Sequence, residues 1–282
     1  MSRVLAIAVF VVIFIVGLSV LIYPAVSDYY NSQRHVRTVE QYSKAVENLS
    51  ERDYTGYLEA AREYNEGLSR KPNRFIMSQE EMDEYMGLLD PSGLGVMGML
   101  EIEVINIRLP IYHGTGEGSL QAGLGHLEGS SLPVGGPGTH AVITGHRGLP
   151  SSTLLTNMDR VIIGDKFSVT VLSEKLTYRV DQIVTVLPNE TSALAIVSGA
   201  DYCTLVTCTP IGINTHRLLV RGHRVDNDED DASYKGPTRI ISDARVLKGA
   251  RASLLLIVPA ILVILAKLFI RLRKTYGRGK KL

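Results

Sequence analysis

Three residue types capable of covalent acyl chemistry stand at the ends of apolar, β-branched runs. Cys208 closes Thr204-Leu-Val-Thr-Cys208-Thr-Pro, and His146 closes His140-Ala-Val-Ile-Thr-Gly-His146. Arg217 follows Cys208 by nine positions and opens Thr215-His-Arg-Leu-Leu-Val-Arg221. A thiol attacks only as thiolate, and with an ordinary pKa of about 8.5 it is mostly protonated at neutral pH. A neighbouring imidazolium or guanidinium favours the charged form. A histidine can later protonate a leaving amine, and a guanidinium can hold the oxyanion of a tetrahedral intermediate.

Spacing alone does not choose among candidates. If the runs ending at Cys208 and starting at His216 pair as a hairpin, the turn brings thiol and guanidinium to one rim of a sheet. Arg221 shares a strand face with Arg217 by the period of two. His140 and His216 rival His146. Taken singly, the cysteine also reads as a small buried core residue, the histidine as a structural group before a turn, and the arginine as a salt-bridging residue. Cys203 and Cys208 are the two cysteines of the chain. They lie five apart on one run, so their side chains point to opposite faces and a disulfide between them is geometrically poor. A free thiol outside the cytoplasm suggests function.

The elements that must position these groups form a mainly β section over 96–225. Candidate strands are Gly98–Glu103, Arg108–Tyr112, Ala141–Gly145, Lys166–Leu172, Lys175–Val186, Tyr202–Cys208 and His216–Val225. Val-, Ile- and Thr-rich runs separated by Gly, Pro and Asn turns predict a closed or nearly closed barrel with small helical insertions. A helical section over 27–95 precedes it. Val36, Val39, Val46 and Leu49 mark one face of a helix from about Ser27 to Leu49, and a second helix runs from about Asp53 to Leu68. Ser78-Gln-Glu-Glu81 is a capping box opening a third, to about Leu89. Asp90-Pro-Ser-Gly-Leu-Gly95 then breaks the pattern.

Two long apolar stretches bracket these sections. Val4 to about Tyr23 is uncharged and, at about 1.5 Å per residue, long enough to cross a bilayer core of about 30 Å. It predicts an uncleaved anchor over 1–26, with a cleaved signal peptide as the competing reading. Ala252 to Ile270 predicts a second transmembrane helix, with Lys267 near enough its end to snorkel. An acidic, polar linker (226–251) leads into it, and a basic tail (271–282) follows. The basic residues of that tail, with Arg3, put both termini in the cytoplasm and the intervening domain outside the cell membrane, with the lipid bilayer as a partner.

Other classes are excluded. A formal net charge of +1 carries no signature of nucleic-acid binding. Gly114-Thr-Gly116-Glu-Gly118 and Val134-Gly-Gly-Pro-Gly138 lack the residues of a phosphate cradle and read as turns. Asp226-Asn-Asp228-Glu-Asp230 lacks the glycine and bidentate glutamate of a calcium loop, and no Cys/His cluster has zinc spacing. The residues call for no cofactor and no metal.

Thr204-Leu-Val-Thr-Cys208 resembles the Thr-Leu-x-Thr-Cys signature of sortases, the membrane-anchored cysteine transpeptidases of Gram-positive bacteria. Leu109-Pro-Ile-Tyr-His-Gly-Thr115, Gly125-His-Leu-Glu-Gly-Ser-Ser-Leu-Pro-Val-Gly-Gly136, Thr144-Gly-His-Arg-Gly-Leu-Pro150 and Gly212-Ile-Asn-Thr-His-Arg-Leu-Leu-Val-Arg-Gly222 resemble class C, the pilus-assembling sortases. The resemblance covers roughly Val96 to Val225, and the pair of anchors is also similar to class C. It implies an eight-stranded sortase β-barrel flanked by two transmembrane helices, with Cys208, His146 and Arg217 as the catalytic residues. It implies cleavage of an LPXTG-like sorting signal between Thr and Gly through a thioacyl-enzyme, and transfer to a lysine amine of a pilin or other surface protein. Anchoring to the peptidoglycan precursor, as housekeeping sortases do, and a non-catalytic membrane scaffold are the alternatives. Two positions depart from the class C pattern. The stretch Arg70-Lys-Pro-Asn-Arg-Phe75-Ile-Met has no Asp-Pro-aromatic lid tripeptide, Phe75 being its aromatic, and Ile211 stands where a tyrosine is usual.

Overall fold

The computed structural model describes residues 3–227. The expected second span, the basic tail and all but the first two residues of the linker lie outside the described residues.

The chain begins with α1 (Arg3–Glu47), a single helix of 45 residues. The anchor and the first soluble helix, expected as separate elements, run into one another through Pro24. A proline inside a helix removes one backbone hydrogen bond, and here helix-forming sequence on both sides carries the turn across it. The apolar part is exposed at Phe10, Val12, Val20 and Leu21, among others. Among the described residues this is one helix long and apolar enough to cross a membrane. Its far end packs on the barrel, where buried Tyr42 donates to the Met97 carbonyl at 2.9 Å and accepts from the Leu172 N–H at 2.7 Å.

Two shorter helices follow. α2 (Glu51–Leu68) opens on Ser50, whose side chain accepts from the Asp53 N–H. It buries Leu58, Ala61 and Leu68, and Asn65 exchanges hydrogen bonds with both backbone groups of Leu132. α3 (Gln79–Gly87) has the predicted capping box in full. It ends two residues early, because Leu88 is extended and Leu89 takes a positive φ of 53°.

Eight strands close into a barrel: β1 (Val96–Ile102), β2 (Ile107–His113), β3 (Leu124–His126), β4 (Thr139–Thr144), β5 (Lys166–Val171), β6 (Glu174–Val186), β7 (Asp201–Thr209) and β8 (His216–Val225). The order around the barrel is β1-β2-β3-β4-β7-β8-β6-β5. Two pairs are parallel, β2 with β3 and β4 with β7; the rest are antiparallel. β3 is the strand that periodicity missed, since three residues are too few to show alternation. The Gly114–Gly118 stretch, read as turns, instead opens a short helix, α4 (Glu117–Ala122).

Alternation along the strands sends side chains to two apolar regions. Inside the barrel lie Ile143, Val169, Leu176, Cys203, Leu205 and Val220, among others. On the outer face of β4, β7 and β8 lies a smaller cluster, Val142, Leu194 and Leu219, with Val184, Val186 and Val206 against it. That second cluster is the floor of the site.

Candidate active site

β7 and β8 pair in a register that sets Cys208 directly opposite Arg217. Directly opposed residues on an antiparallel pair project from the same face with β-carbons about 5 Å apart. The hairpin expected from sequence therefore forms and brings thiol and guanidinium together. Arg217 Nη1 donates to the carbonyls of Asn214 at 3.2 Å and His216 at 3.1 Å, which folds the guanidinium against the turn.

His146 reaches this rim through the parallel pairing of β4 with β7. The ladder runs to Thr144 opposite Val206. Beyond it, the Gly145 N–H donates to the Val206 carbonyl at 3.1 Å, and Thr207 Oγ1 donates to the Gly145 carbonyl at 2.8 Å. His146 is thus carried alongside Cys208. A β-carbon at Gly145 would stand 2.5 Å from Leu124 Cδ2, so a larger residue there would have to displace the Leu124 side chain.

All three side chains line one groove of about 840 Å³. Its walls are mostly apolar: Leu127, Val142, Val186, Leu194, Val206 and Leu219 from the outer cluster, with Phe75, Ile76, Met77 and Met82 from the helical section. The segment joining α2 to α3 therefore borders the groove although it lacks the lid tripeptide. Arg74 holds it there, donating to the carbonyls of Gly129 at 2.9 Å and Leu194 at 2.5 Å, with its guanidinium carbon 4.4 Å from the Phe75 ring centroid. Asp90, by contrast, accepts from the Leu94 and Gly95 N–H groups in the turn before β1.

The rivals left open by spacing are occupied elsewhere. His140 is buried, with Nε2 2.7 Å from Thr204 Oγ1 and Nδ1 2.8 Å from the Ala195 carbonyl; burial pushes its pKa down to about 4. His216 stands beside its neighbour's hydroxyl, Thr215 Oγ1, at 2.9 Å. Arg221 makes a two-toothed pair with Asp181 at 3.0 and 3.1 Å and lies over the Tyr202 ring. Cys203 is fully buried, and burial pushes its thiol well up from the ordinary range. His146 differs from His140 in one respect that bears on chemistry. Its Nε2 is buried without a hydrogen-bond partner among the described residues, and the nearest carboxylate oxygen, Glu117 Oε1, stands 3.7 Å away.

Two supporting residues were not singled out from sequence. Arg147, nine-tenths buried, ties the loop after His146 to β7: it donates to the Thr156 carbonyl at 3.2 Å and Thr209 Oγ1 at 3.4 Å, and pairs with Asp159 at 3.0 Å. Its adjacency to His146 in Gly-His-Arg-Gly-Leu-Pro was the available signal. Glu117 lay within a glycine-rich stretch whose composition hid it. Ile211 does not border the groove. Its side chain covers Gly148, where φ is +76° and a β-carbon would lie 2.5 Å from Ile211 Cγ2.

Fold and rim together define a class: a closed β-barrel whose part-exposed thiol, imidazole and guanidinium line one apolar groove on its outer face. A family model described as the sortase domain matches residues 100–225. Among solved structures, sortase C1 from Streptococcus agalactiae is 49% identical with a TM-score of 0.65, covering 68% of this chain and 100% of that one. A pilus-related sortase C of Group B Streptococcus is 37% identical with a TM-score of 0.59, over 67% of this chain and 97% of that one. Sortase D of Bacillus subtilis is 29% identical over 131 residues, 45% of this chain. The chain spans 63% and 52% of the lengths of the two curated relatives it matches. The chain belongs to the sortase family, and its solved neighbours include pilus-related sortases C and C1 as well as a sortase A from Corynebacterium diphtheriae.

Proposed function

We propose that this chain is a membrane-tethered cysteine transpeptidase of the pilus-assembling kind, with Cys208 as nucleophile, His146 as proton carrier and Arg217 as oxyanion holder. One observation carries the reading: a mostly apolar groove is lined by Cys208 and Arg217, which face each other across β7 and β8, and by His146 just past the end of β4. Such a groove suits the Leu-Pro part of an LPXTG-like signal, and its polar end suits the Thr-Gly bond.

In the reactive state the Cys208 thiolate pairs transiently with protonated His146. The thiolate attacks the Thr carbonyl, and the oxyanion forms beside Arg217, whose charge acts where charge develops. His146 gives its proton to the departing Gly nitrogen, leaving a thioester and a neutral imidazole. A lysine amine of the next pilin then attacks the thioester. An isopeptide bond forms, Cys208 leaves as thiolate, and one of the amine's protons returns to His146. Tethering follows from α1 together with the second apolar stretch, 252–270, with the barrel outside and both termini inside the cell.

Incubating the protein with a purified pilin that carries a sorting signal tests the reading. A ladder of covalent multimers, absent with Cys208→Ala, is the expected result. Transfer only to a peptidoglycan precursor, with no multimers, overturns the polymerase role and leaves the thiol chemistry standing.

A further inference from the structure

A second cavity, about 470 Å³, lies behind the wall that His146 shares with α4, between that wall and α1. Its lining is largely polar and includes Arg34, His35, Glu117, Gln121 and Ser151. The wall separating it from the peptide groove is thin. His146 and Leu120 face the groove, while Glu117 and Gln121 of the same short helix face the cavity. Glu117 Oε1 accepts from Gln121 Nε2 at 2.7 Å and stands 3.7 Å from His146 Nε2. That gap exceeds a hydrogen bond and falls within ion-pair range. The imidazole nitrogen, buried and without a hydrogen-bond partner among the described residues, therefore has an exposed carboxylate beside it on the cavity side.

The transpeptidase reading requires an amine to reach a thioester whose other face is filled by the donor peptide. An alkyl ammonium arrives charged and must lose a proton before it attacks. We propose that this cavity admits the acceptor lysine and that Glu117 binds its ammonium beside His146. The inference rests on the transpeptidase reading and adds the acceptor's route to it. The ammonium gives one proton to neutral His146, and its nitrogen lone pair attacks the thioester carbonyl. The second proton passes by way of the Glu117 carboxylate to water as the Cys208–acyl bond breaks, leaving the Cys208 thiolate and protonated His146. The one guanidinium on the cavity lining, Arg34, belongs to α1 and lies over the Tyr30 ring, its centroid 6.0 Å away. Glu117 is thus the lining carboxylate available to a cation.

The test compares two acceptors with the full-length protein in detergent and a sorting-signal peptide as donor: a lysine-bearing peptide, and hydroxylamine, which is uncharged at neutral pH. Glu117→Gln is expected to lower kcat/KM for the lysine acceptor about five- to tenfold more than for hydroxylamine, mainly through KM, the order set by one partly exposed charge pair. Gly118→Phe supplies a second probe, because a β-carbon at Gly118 meets nothing within 4 Å. It should obstruct the lysine peptide while sparing the small nucleophile. If both variants slow the two acceptors equally, Glu117 merely positions His146 and the acceptor route is wrong. Loss of hydroxylamine transfer in the unaltered protein would instead strike at the transpeptidase reading itself.

Discussion

The two cysteines of this chain share β7, and two of its histidines share the β4 segment, yet each pair divides between opposite environments. Cys203 points into the barrel, fully buried, while Cys208 lines the outer groove. His140 has both ring nitrogens engaged, while His146 keeps a buried Nε2 without a hydrogen bond. The difference teaches that residue type carries no role by itself. An odd spacing along a strand sends one thiol to the core and one to the rim. A saturated hydrogen-bond set makes one histidine structural and leaves the other chemically open.

The sharpest way to break this comparison is to remove each thiol. Cys208→Ala should lower the rate of sorting-peptide cleavage by a factor on the order of 10³ or more. Cys203→Ala should keep that rate within about threefold and lose about 1–2 kcal/mol of stability in denaturant unfolding, through the small cavity it leaves. A comparable loss of activity from both would erase the distinction. The histidines should separate in the same way. His146→Ala is expected to lower the rate about 10²–10⁴-fold at unchanged stability. His140→Ala should cost about 2 kcal/mol, since the Thr204 hydroxyl and the Ala195 carbonyl lose their partner. For the arginines, Arg217→Lys should lower kcat/KM about 10- to 100-fold because the planar fork is lost at the oxyanion. Arg221→Lys, which disturbs only the Asp181 pair and the Tyr202 stack, should leave kcat/KM within severalfold.

Much of this was legible in the sequence. β-branched runs placed seven of the strands to within a residue or two, and His216–Val225 agrees at both ends. Those runs dominate because strand residues of a small barrel must fill its interior on alternate positions. β3 escaped for want of length. α4 escaped because Gly116 and Gly118 masked a helix start. The choice of Arg217 over Arg221 rested on family resemblance, since both sit on one strand face. Register separates the two: Arg217 opposes Cys208, and Arg221 opposes Thr204. Glu117 and Arg147 act across loops, through contacts that no periodicity encodes.

A smaller effect sharpens the structural half of the comparison. Burial lowers the pKa of His126 and of His140 from 6.5 to about 4. His126 is enclosed by Tyr85, Ser130 and the Ser131 carbonyl, which fasten α3 to the barrel. Between pH 6.5 and about 4 the unfolded chain takes up protons at these sites that the folded chain refuses. The contribution of these two neutral histidines to stability is therefore full above pH 6.5 and falls as the pH drops towards 4. Denaturant midpoints measured at pH 7 and pH 5 should show that fall, and His140→Gln should flatten it. A midpoint unchanged across that range would contradict the buried, neutral assignment.

The most direct measurement is mass spectrometry of the protein quenched during reaction with a peptide ending in an LPXTG-like signal, followed by digestion. The account predicts an added mass equal to that of the peptide fragment ending at its Thr less one water, as a thioester requires, located on the fragment at Cys208. An adduct located at Cys203, or cleavage of the peptide by a Cys208→Ala protein with no adduct at all, would contradict it.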